Sequence, residues 1–124
     1  MTKTEYLAAL DVASRDGTFP SFNPDTGDCA YRADFTPNCR QRCAVGILIP
    51  DDRYHLVTEG MSIDVINDLA TDVPSGLSIS DLLSVQRVHD LHTNRSVHDV
   101  PAHRVPWDAD AFMDQICKLE FFKT

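Results

Sequence analysis

Residues Arg42-Cys43-Ala44-Val45-Gly46-Ile47-Leu48-Ile49-Pro50-Asp51 form the stretch around which we expect the rest of the chain to fold. It is the longest apolar run in the sequence, and it is too short to span a bilayer, so residues 43–49 are interpreted as a buried central segment. Two local structures fit this segment. Residues 39–45 pair as a hairpin with residues 29–35, or residues 43–49 form a short helix that Pro50 ends.

Composition indicates one globular domain over residues 1–124. Hydrophobic residues make up 43% and charged residues 24% of the chain, which excludes wholesale disorder. No apolar leader follows Met1, so the sequence predicts no signal peptide, no membrane anchor and a cytoplasmic location. In that reducing compartment, four cysteines favour free thiols or a metal over disulfides.

Capping residues and apolar spacing predict four helices. The first starts in a capping box, Thr2-x-x-Glu5, and ends at Gly17. The others run from Ser62 to Val73, from Ser78 or Ser80 through Leu91, and from Asp108 to about Phe121 and Phe122, with residues 93–106 as a long connection. The predicted fold class is therefore mainly α, a single small domain of about four helices around the central segment, with a short β-hairpin (α+β) as the open alternative.

Two polar side chains interrupt the apolar face of the third predicted helix. Gln86 and His89 project from the same face as Leu82 and Val85. A buried polar group without a partner costs roughly 1 to 3 kcal/mol, so both side chains need one. Either they form structural hydrogen bonds to backbone of the central segment, or they line a pocket beside Cys43.

A set of motifs gives the chain a resemblance. The motifs are Cys29-x-Tyr31-Arg32, Cys43-Ala44-Val45-Gly46-x-Leu48-Ile49-Pro50-Asp51, Tyr54, Glu59-Gly60, Leu82-x-x-Val85-Gln86-x-x-His89-Asp90 and Trp107. In these the chain resembles a group of short uncharacterised bacterial and bacteriophage proteins. The resemblance covers residues 29–107, implies a shared architecture and carries over no catalytic residue.

Metal binding and cysteine catalysis are two further hypotheses. Cys29, Cys39 and Cys43 with one histidine have the residue types of a zinc site, but only Cys39-x-x-x-Cys43 has a suitable spacing. We therefore predict no metal and no cofactor. A Cys43 nucleophile would use His89 as its base, but the sequence contains no second signature of such an enzyme.

Charge leads to the predicted function. The net charge is −8 and the basic residues are scattered, which argues against direct binding of nucleic acid. We predict a small acidic, non-enzymatic, phage-associated binding protein, a regulator or inhibitor that occupies a basic surface of a protein partner. The predicted partner-binding residues are Asp51, Asp52, Glu59, Asp64 and Asp68.

Two alternatives stay open. The first is a binding protein for a small, nucleotide-like ligand, held in a pocket near Gln86 and His89. The predicted contacts of that ligand are Tyr31, Arg32, Cys43, Gln86 and His89. The second alternative is a cysteine-dependent hydrolase that uses Cys43 and His89.

Overall fold

The computed structural model describes residues 1–22, 29–34, 39–54, 59, 73–97, 102 and 105–123. This part of the chain is a small, mainly helical domain with three α-helices: α1 (Lys3–Arg15), α2 (Ile79–Val97) and α3 (Ala109–Cys117). Short 3-10 helices cover Gly46–Leu48, Asp51–Arg53 and Glu120–Phe122. No strand forms within these ranges. The predicted fold class is confirmed.

Helix α1 begins at the predicted capping box. The Glu5 amide donates to the Thr2 hydroxyl at 3.1 Å, and the Thr2 amide donates to the Glu5 carboxylate at 3.0 Å. Each bond satisfies an amide that a helix start leaves without an intrahelical partner. The helix ends at Arg15, just before Gly17, which has a φ of +91°. Its inner face buries Tyr6 and Leu10 completely, as the apolar spacing predicts.

Helix α2 begins beside the predicted cap Ser78. The Asp81 amide donates to the Ser78 hydroxyl at 3.1 Å, and the Ser78 amide donates to the Asp81 carboxylate at 2.9 Å. The helix continues to Val97, so the prediction that a connection starts at residue 93 is wrong. Thr93 is fully buried, and its hydroxyl donates to the His89 carbonyl at 2.8 Å. This bond inside the helix lets a polar residue occupy the core-facing side.

Helix α3 is capped by Asp108, whose side chain accepts from the Ala111 amide at 3.1 Å. It packs against both α1 and α2, and its Phe112 and Ile116 side chains are fully buried. Each such side chain contributes roughly 1.5 to 3 kcal/mol on leaving water. Just before the helix, Trp107 donates from its indole Nε1 to the Ser14 carbonyl at 3.0 Å. Its ring packs beside Phe112, at 5.2 Å between ring centroids.

The central segment is buried, as predicted, and contains the 3-10 helix Gly46–Leu48. This short helical turn is closer to the helical alternative than to the hairpin. Only an isolated antiparallel bridge, Arg32 to Arg42, joins the two segments that the hairpin would pair, within the residues described. A Cβ atom at Gly46 would collide with the Tyr31 carbonyl oxygen. The absence of a side chain at Gly46 therefore allows the backbone at Tyr31 to pack closely against this turn.

The second predicted helix, from Ser62 to Val73, lies outside the described residues except for Val73 itself. Across the ranges that are described, none of the helices combines the length and apolar character that a bilayer crossing requires.

Candidate ligand-binding cavity

Residues from distant parts of the sequence line a partly open cavity of about 160 Å³. Three regions supply its walls: the chain at residues 29–31, the central segment, and the face of α2 that carries Gln86. Among the lining residues that the structure describes, two carry carboxylates, two carry thiols and none is basic. These residues are Cys29, Ala30, Tyr31, Cys43, Glu59, Gln86 and Asp90.

The Gln86 side chain ties α2 to the central segment. Its carbonyl oxygen accepts from the Val45 amide at 3.0 Å, and its amide nitrogen donates to Oδ1 of Asp90 at 2.8 Å. Gln86 and Asp90 are four residues apart, so they lie on the same side of the helix. The predicted bond from this residue to the central backbone is present, and it also orients a carboxylate at the cavity wall.

His89 lies behind that wall and is fully buried. Its Nε2 lies 3.2 Å from the amide nitrogen of Ser21, and its Nδ1 lies 3.0 Å from Oδ1 of Asp90. A backbone amide can only donate, so Nε2 is the acceptor. The proton of the neutral ring is therefore on Nδ1, which donates to Asp90. Both ring nitrogens are engaged, and the ring fixes the Asp90 carboxylate in position.

Glu59 brings the chain at Tyr31 and Arg32 to the cavity. Its Oε1 accepts from the Tyr31 amide at 3.0 Å, and its Oε2 accepts from the Arg32 amide at 3.0 Å. The Tyr54 hydroxyl also donates to Oε2, at 2.7 Å. A carboxylate that accepts from three donors is a fixed part of the structure.

The field inside the cavity is negative. Burial raises the pKa of the Cys43 thiol to about 12, and the charges of Asp90 and Glu59 act in the same direction. Burial also raises the pKa of Tyr31 to about 12, with further contributions from Cys43, Glu59 and Asp90. Cys43 is accordingly a neutral thiol at neutral pH, and its Sγ accepts from the Gly46 amide at 3.3 Å.

The structure brings together three of the five predicted ligand contacts. Tyr31, Cys43 and Gln86 line the cavity, whereas His89 lies one layer behind it. Arg32 is fully buried and points elsewhere: its Nη1 donates to Asp51 at 2.6 Å and its Nη2 to the Ile49 carbonyl at 2.7 Å.

Sequence reasoning did not assign Cys29 or Asp90 to this site. Cys29 and Tyr31 are two residues apart, a spacing that in an extended strand places both side chains on one side, and both line the cavity. That spacing is a signal that would have joined Cys29 to the predicted set. Asp90 could have been assigned to the site from its i, i+4 spacing to Gln86, which places both side chains on one side of the helix.

The predicted partner-binding acids differ in their surroundings. Asp51 bridges two guanidinium groups, at 2.6 Å from Arg32 and 2.7 Å from Arg42. Glu59 lines the cavity and accepts hydrogen bonds from three donors, whereas Asp52 is exposed. Asp64 and Asp68 lie outside the described residues. Their role in partner binding stays a prediction.

A larger groove of about 550 Å³ lies between α1 and the central segment. Its walls combine short apolar side chains of these two elements, including Ala8, Ala9, Val12 and Ile47, with the charged side chains of Asp16, Arg40 and Arg42. The smaller cavity is the better candidate site because titratable groups of one charge sign converge on it.

The fold and the cavity define a class: a small, mainly helical domain with a partly open, acidic cavity. A scan against protein-family models, a search of curated proteins and a search of solved structures each returned no match.

Proposed function

We propose that this chain is a non-enzymatic binding protein that takes a small cationic ligand into the cavity beside Gln86. The observation that carries the proposal is the wall itself, with two fixed carboxylates and two thiols. A positively charged ligand gains Coulomb energy from such a wall, and this gain is greater than in open solvent because water is partly excluded.

The cavity volume limits the ligand. About 160 Å³ is well below the roughly 300 to 1,000 Å³ of pockets for larger organic ligands. This favours an ion, an ammonium group or a guanidinium group over a nucleotide-like molecule. The Asp90 carboxylate is the proposed main contact, because Gln86 and His89 hold it and it remains part of the cavity wall.

Binding of simple cations tests this function. Zn²⁺, Mg²⁺, methylammonium and guanidinium are titrated into the protein, with acetate and phosphate as anionic comparisons, and amide resonances are followed by NMR. At least one cation should shift the resonances of Val45, Gly46, Gln86 and Asp90, whereas the anions should not. If every cation leaves these amides unchanged, the proposed function is wrong.

The matched variants are Asp90→Asn and Asp52→Asn. Both remove one negative charge, but Asp52 is exposed and does not line the cavity. Asp90→Asn should weaken binding of the responding cation by about tenfold or more, equivalent to about 1.4 kcal/mol. Asp52→Asn should have no effect beyond a small, salt-screened change. Equal losses in the two variants would indicate a general charge effect.

A second candidate function rests on the net charge of −8. In this candidate the chain is a phage-associated regulator or inhibitor that covers a basic surface of a protein partner. Complementary charge acts mainly on the association rate and is screened over about 8 Å at physiological salt. Replacing Asp52, Asp64 and Asp68 with Asn should therefore slow association with a basic partner and reduce its salt dependence. If the association rate is unchanged, these acidic residues contribute only to solubility.

The cysteine-hydrolase alternative has less support. Its nucleophile, Cys43, is fully buried, and burial raises the pKa of its thiol to about 12, which disfavours the thiolate. Its base, His89, uses Nε2 to accept from Ser21 and Nδ1 to donate to Asp90. Neither ring nitrogen is available to take a thiol proton in this arrangement.

A further inference from the structure

One corner of the cavity contains side chains that are ligands for transition metals. One ligand atom each from Cys29, His89 and Asp90 lies within 4.8 Å of the other two. Sulfur, imidazole nitrogen and carboxylate oxygen are the three donor types that zinc takes in proteins. Cys43 lines the same cavity from the central segment and provides a second thiol, which lies outside that 4.8 Å group.

The hydrogen bonds divide these residues into ligands and support. Nε2 of His89 accepts from the Ser21 amide, so Nδ1 carries the ring proton and donates to Asp90. A nitrogen that carries a proton cannot coordinate a metal, so His89 is a positioning residue. Gln86 donates to the same Asp90 oxygen. Two donors thus orient one carboxylate, which is how outer groups orient a metal ligand.

A backbone hydrogen bond also favours Cys43 as a metal ligand. The Gly46 amide lies 3.3 Å from the Cys43 sulfur and points its proton at it. Such a bond stabilises the negative charge that a thiolate ligand retains. The close approach of Gly46 to the Tyr31 carbonyl holds this turn next to the segment that carries Cys29.

We propose that the cavity binds a thiophilic divalent ion of the zinc class through the sulfurs of Cys29 and Cys43 and the carboxylate of Asp90. The inference rests on the proposed function and names its ligand. On binding, each thiol loses its proton to solvent, and the ion takes the sulfur lone pairs. A hard ion such as Mg²⁺ prefers six oxygen ligands, which this wall does not supply.

The other cysteines supply controls. Cys39 is buried, and its thiol donates to the Gln41 carbonyl at 3.2 Å. Cys117 is exposed on α3. Neither lines the cavity. The proposal therefore differs from a site made by the cysteine spacing alone, which would combine Cys39 with Cys43.

The test is titration of the full chain, purified under reducing conditions, with Zn²⁺ and with Co²⁺ as a spectroscopic probe. Zinc should bind one ion per chain and raise the midpoint of thermal unfolding. Cobalt should produce the near-ultraviolet absorption of cobalt–thiolate charge transfer. Cys29→Ser and Asp90→Asn should each lower zinc affinity by at least tenfold, and Cys29→Ser should also weaken the charge-transfer band. Cys39→Ser and Cys117→Ser should retain both affinity and spectrum.

The role of His89 has its own readout. His89→Gln should lower zinc affinity by about 10- to 100-fold, the range for groups that orient a ligand, while the visible ligand-field bands of bound Co²⁺ at saturation keep their position and intensity. A change in these ligand-field bands at saturation would place His89 in the ligand set and overturn its positioning role.

Several outcomes would overturn the metal site. They are the absence of zinc binding, an unchanged affinity in Cys29→Ser, and a loss of binding in Cys117→Ser. Cys43 is fully buried, so the test relies on Cys29→Ser and Asp90→Asn, whose residues are only partly buried. Methylammonium or guanidinium binding without zinc binding would overturn this inference and leave the proposed function. Failure of all cations would overturn both.

Discussion

At the scale of single residues, the charge at Arg32 has the clearest energetic consequence. Its guanidinium is fully buried, donates to Asp51 and the Ile49 carbonyl, and lies over the Tyr54 ring at 4.6 Å. A buried cation is tolerated only where such partners replace its lost hydration. Asp51, half exposed beside Arg32, therefore has a structural role as well as a charge.

Asp51→Ala should lower the free energy of unfolding by about 3 kcal/mol, near the lower end of the 3 to 5 kcal/mol for a broken buried pair. The lower end applies because water reaches the Asp51 side, which is 49% exposed. Urea unfolding measures the change. The matched control is Asp52→Ala, an exposed neighbour whose loss should cost no more than about 0.5 kcal/mol. Equal losses would contradict the structural role of Asp51.

The four cysteines should react at very different rates. Alkylation at neutral pH, followed by peptide mass spectrometry, should label exposed Cys117 fast and buried Cys43 slowly. The physical reason is that burial raises the pKa of the Cys43 thiol to about 12 and also blocks the reagent. In denaturant the two rates should become similar. Native labelling of Cys43 ahead of Cys117 would restore the nucleophile hypothesis.

At the scale of structural elements, the turn at Gly46 connects the central segment to the chain that carries Cys29. Gly46→Ala places a methyl group against the Tyr31 carbonyl oxygen, which must move. We expect the free energy of unfolding to fall by about 1 to 3 kcal/mol, a loss typical of overpacking. Ligand binding should also weaken, because Tyr31 and Cys29 shift. Chemical denaturation and the cation titration give the two readouts.

Gly17→Ala separates this effect from backbone strain. A Cβ at Gly17 meets no atom within 4 Å, but its φ of +91° favours glycine. The Gly17→Ala substitution should lower the free energy of unfolding by about 1 to 2 kcal/mol and leave ligand binding unchanged. If Gly46→Ala weakens binding no more than Gly17→Ala does, the turn does not position the cavity wall.

The elements also show what the sequence can predict. Helices α1 and α3 follow from local signals, namely a capping side chain and apolar spacing, so their starts at Thr2 and Asp108 were predictable. The end of α2 was not predictable from the sequence. Thr93 is polar, and it can be buried because its hydroxyl donates to the His89 carbonyl within the helix. The cavity depends on the proximity of residues as many as 61 positions apart, such as Cys29 and Asp90. Sequence spacing identified Gln86 but assigned Glu59 to the surface, since nothing local indicates its three donors.

At the scale of the whole molecule, burial of ionisable groups links stability to pH. Tyr6 is fully buried, and its hydroxyl donates to the Ala44 carbonyl at 2.7 Å. Burial raises the pKa of this phenol above its ordinary value of 10. The folded state therefore holds the proton more tightly than the unfolded state. The resulting stability is complete below pH 10 and is lost as pH rises through and above it.

Tyr6→Phe tests this linkage. At neutral pH the variant should lose about 1 kcal/mol, because one hydrogen bond disappears. Between pH 9 and pH 11, its unfolding free energy should fall less steeply than that of the wild type. Urea unfolding across that range gives both slopes. Parallel curves would show that Tyr6 does not contribute to the alkaline transition.

The position of Trp107 allows intrinsic fluorescence to report on the region behind the cavity. It is the single tryptophan of the sequence, and its ring lies 6.0 Å from His89, whose other side supports Asp90. All indole emission therefore originates from one place behind the cavity. A change in emission when an ion enters reports a movement of that layer, without any label attached to the protein. The same signal follows unfolding, since the indole bond to Ser14 joins the chain before α3 to the end of α1.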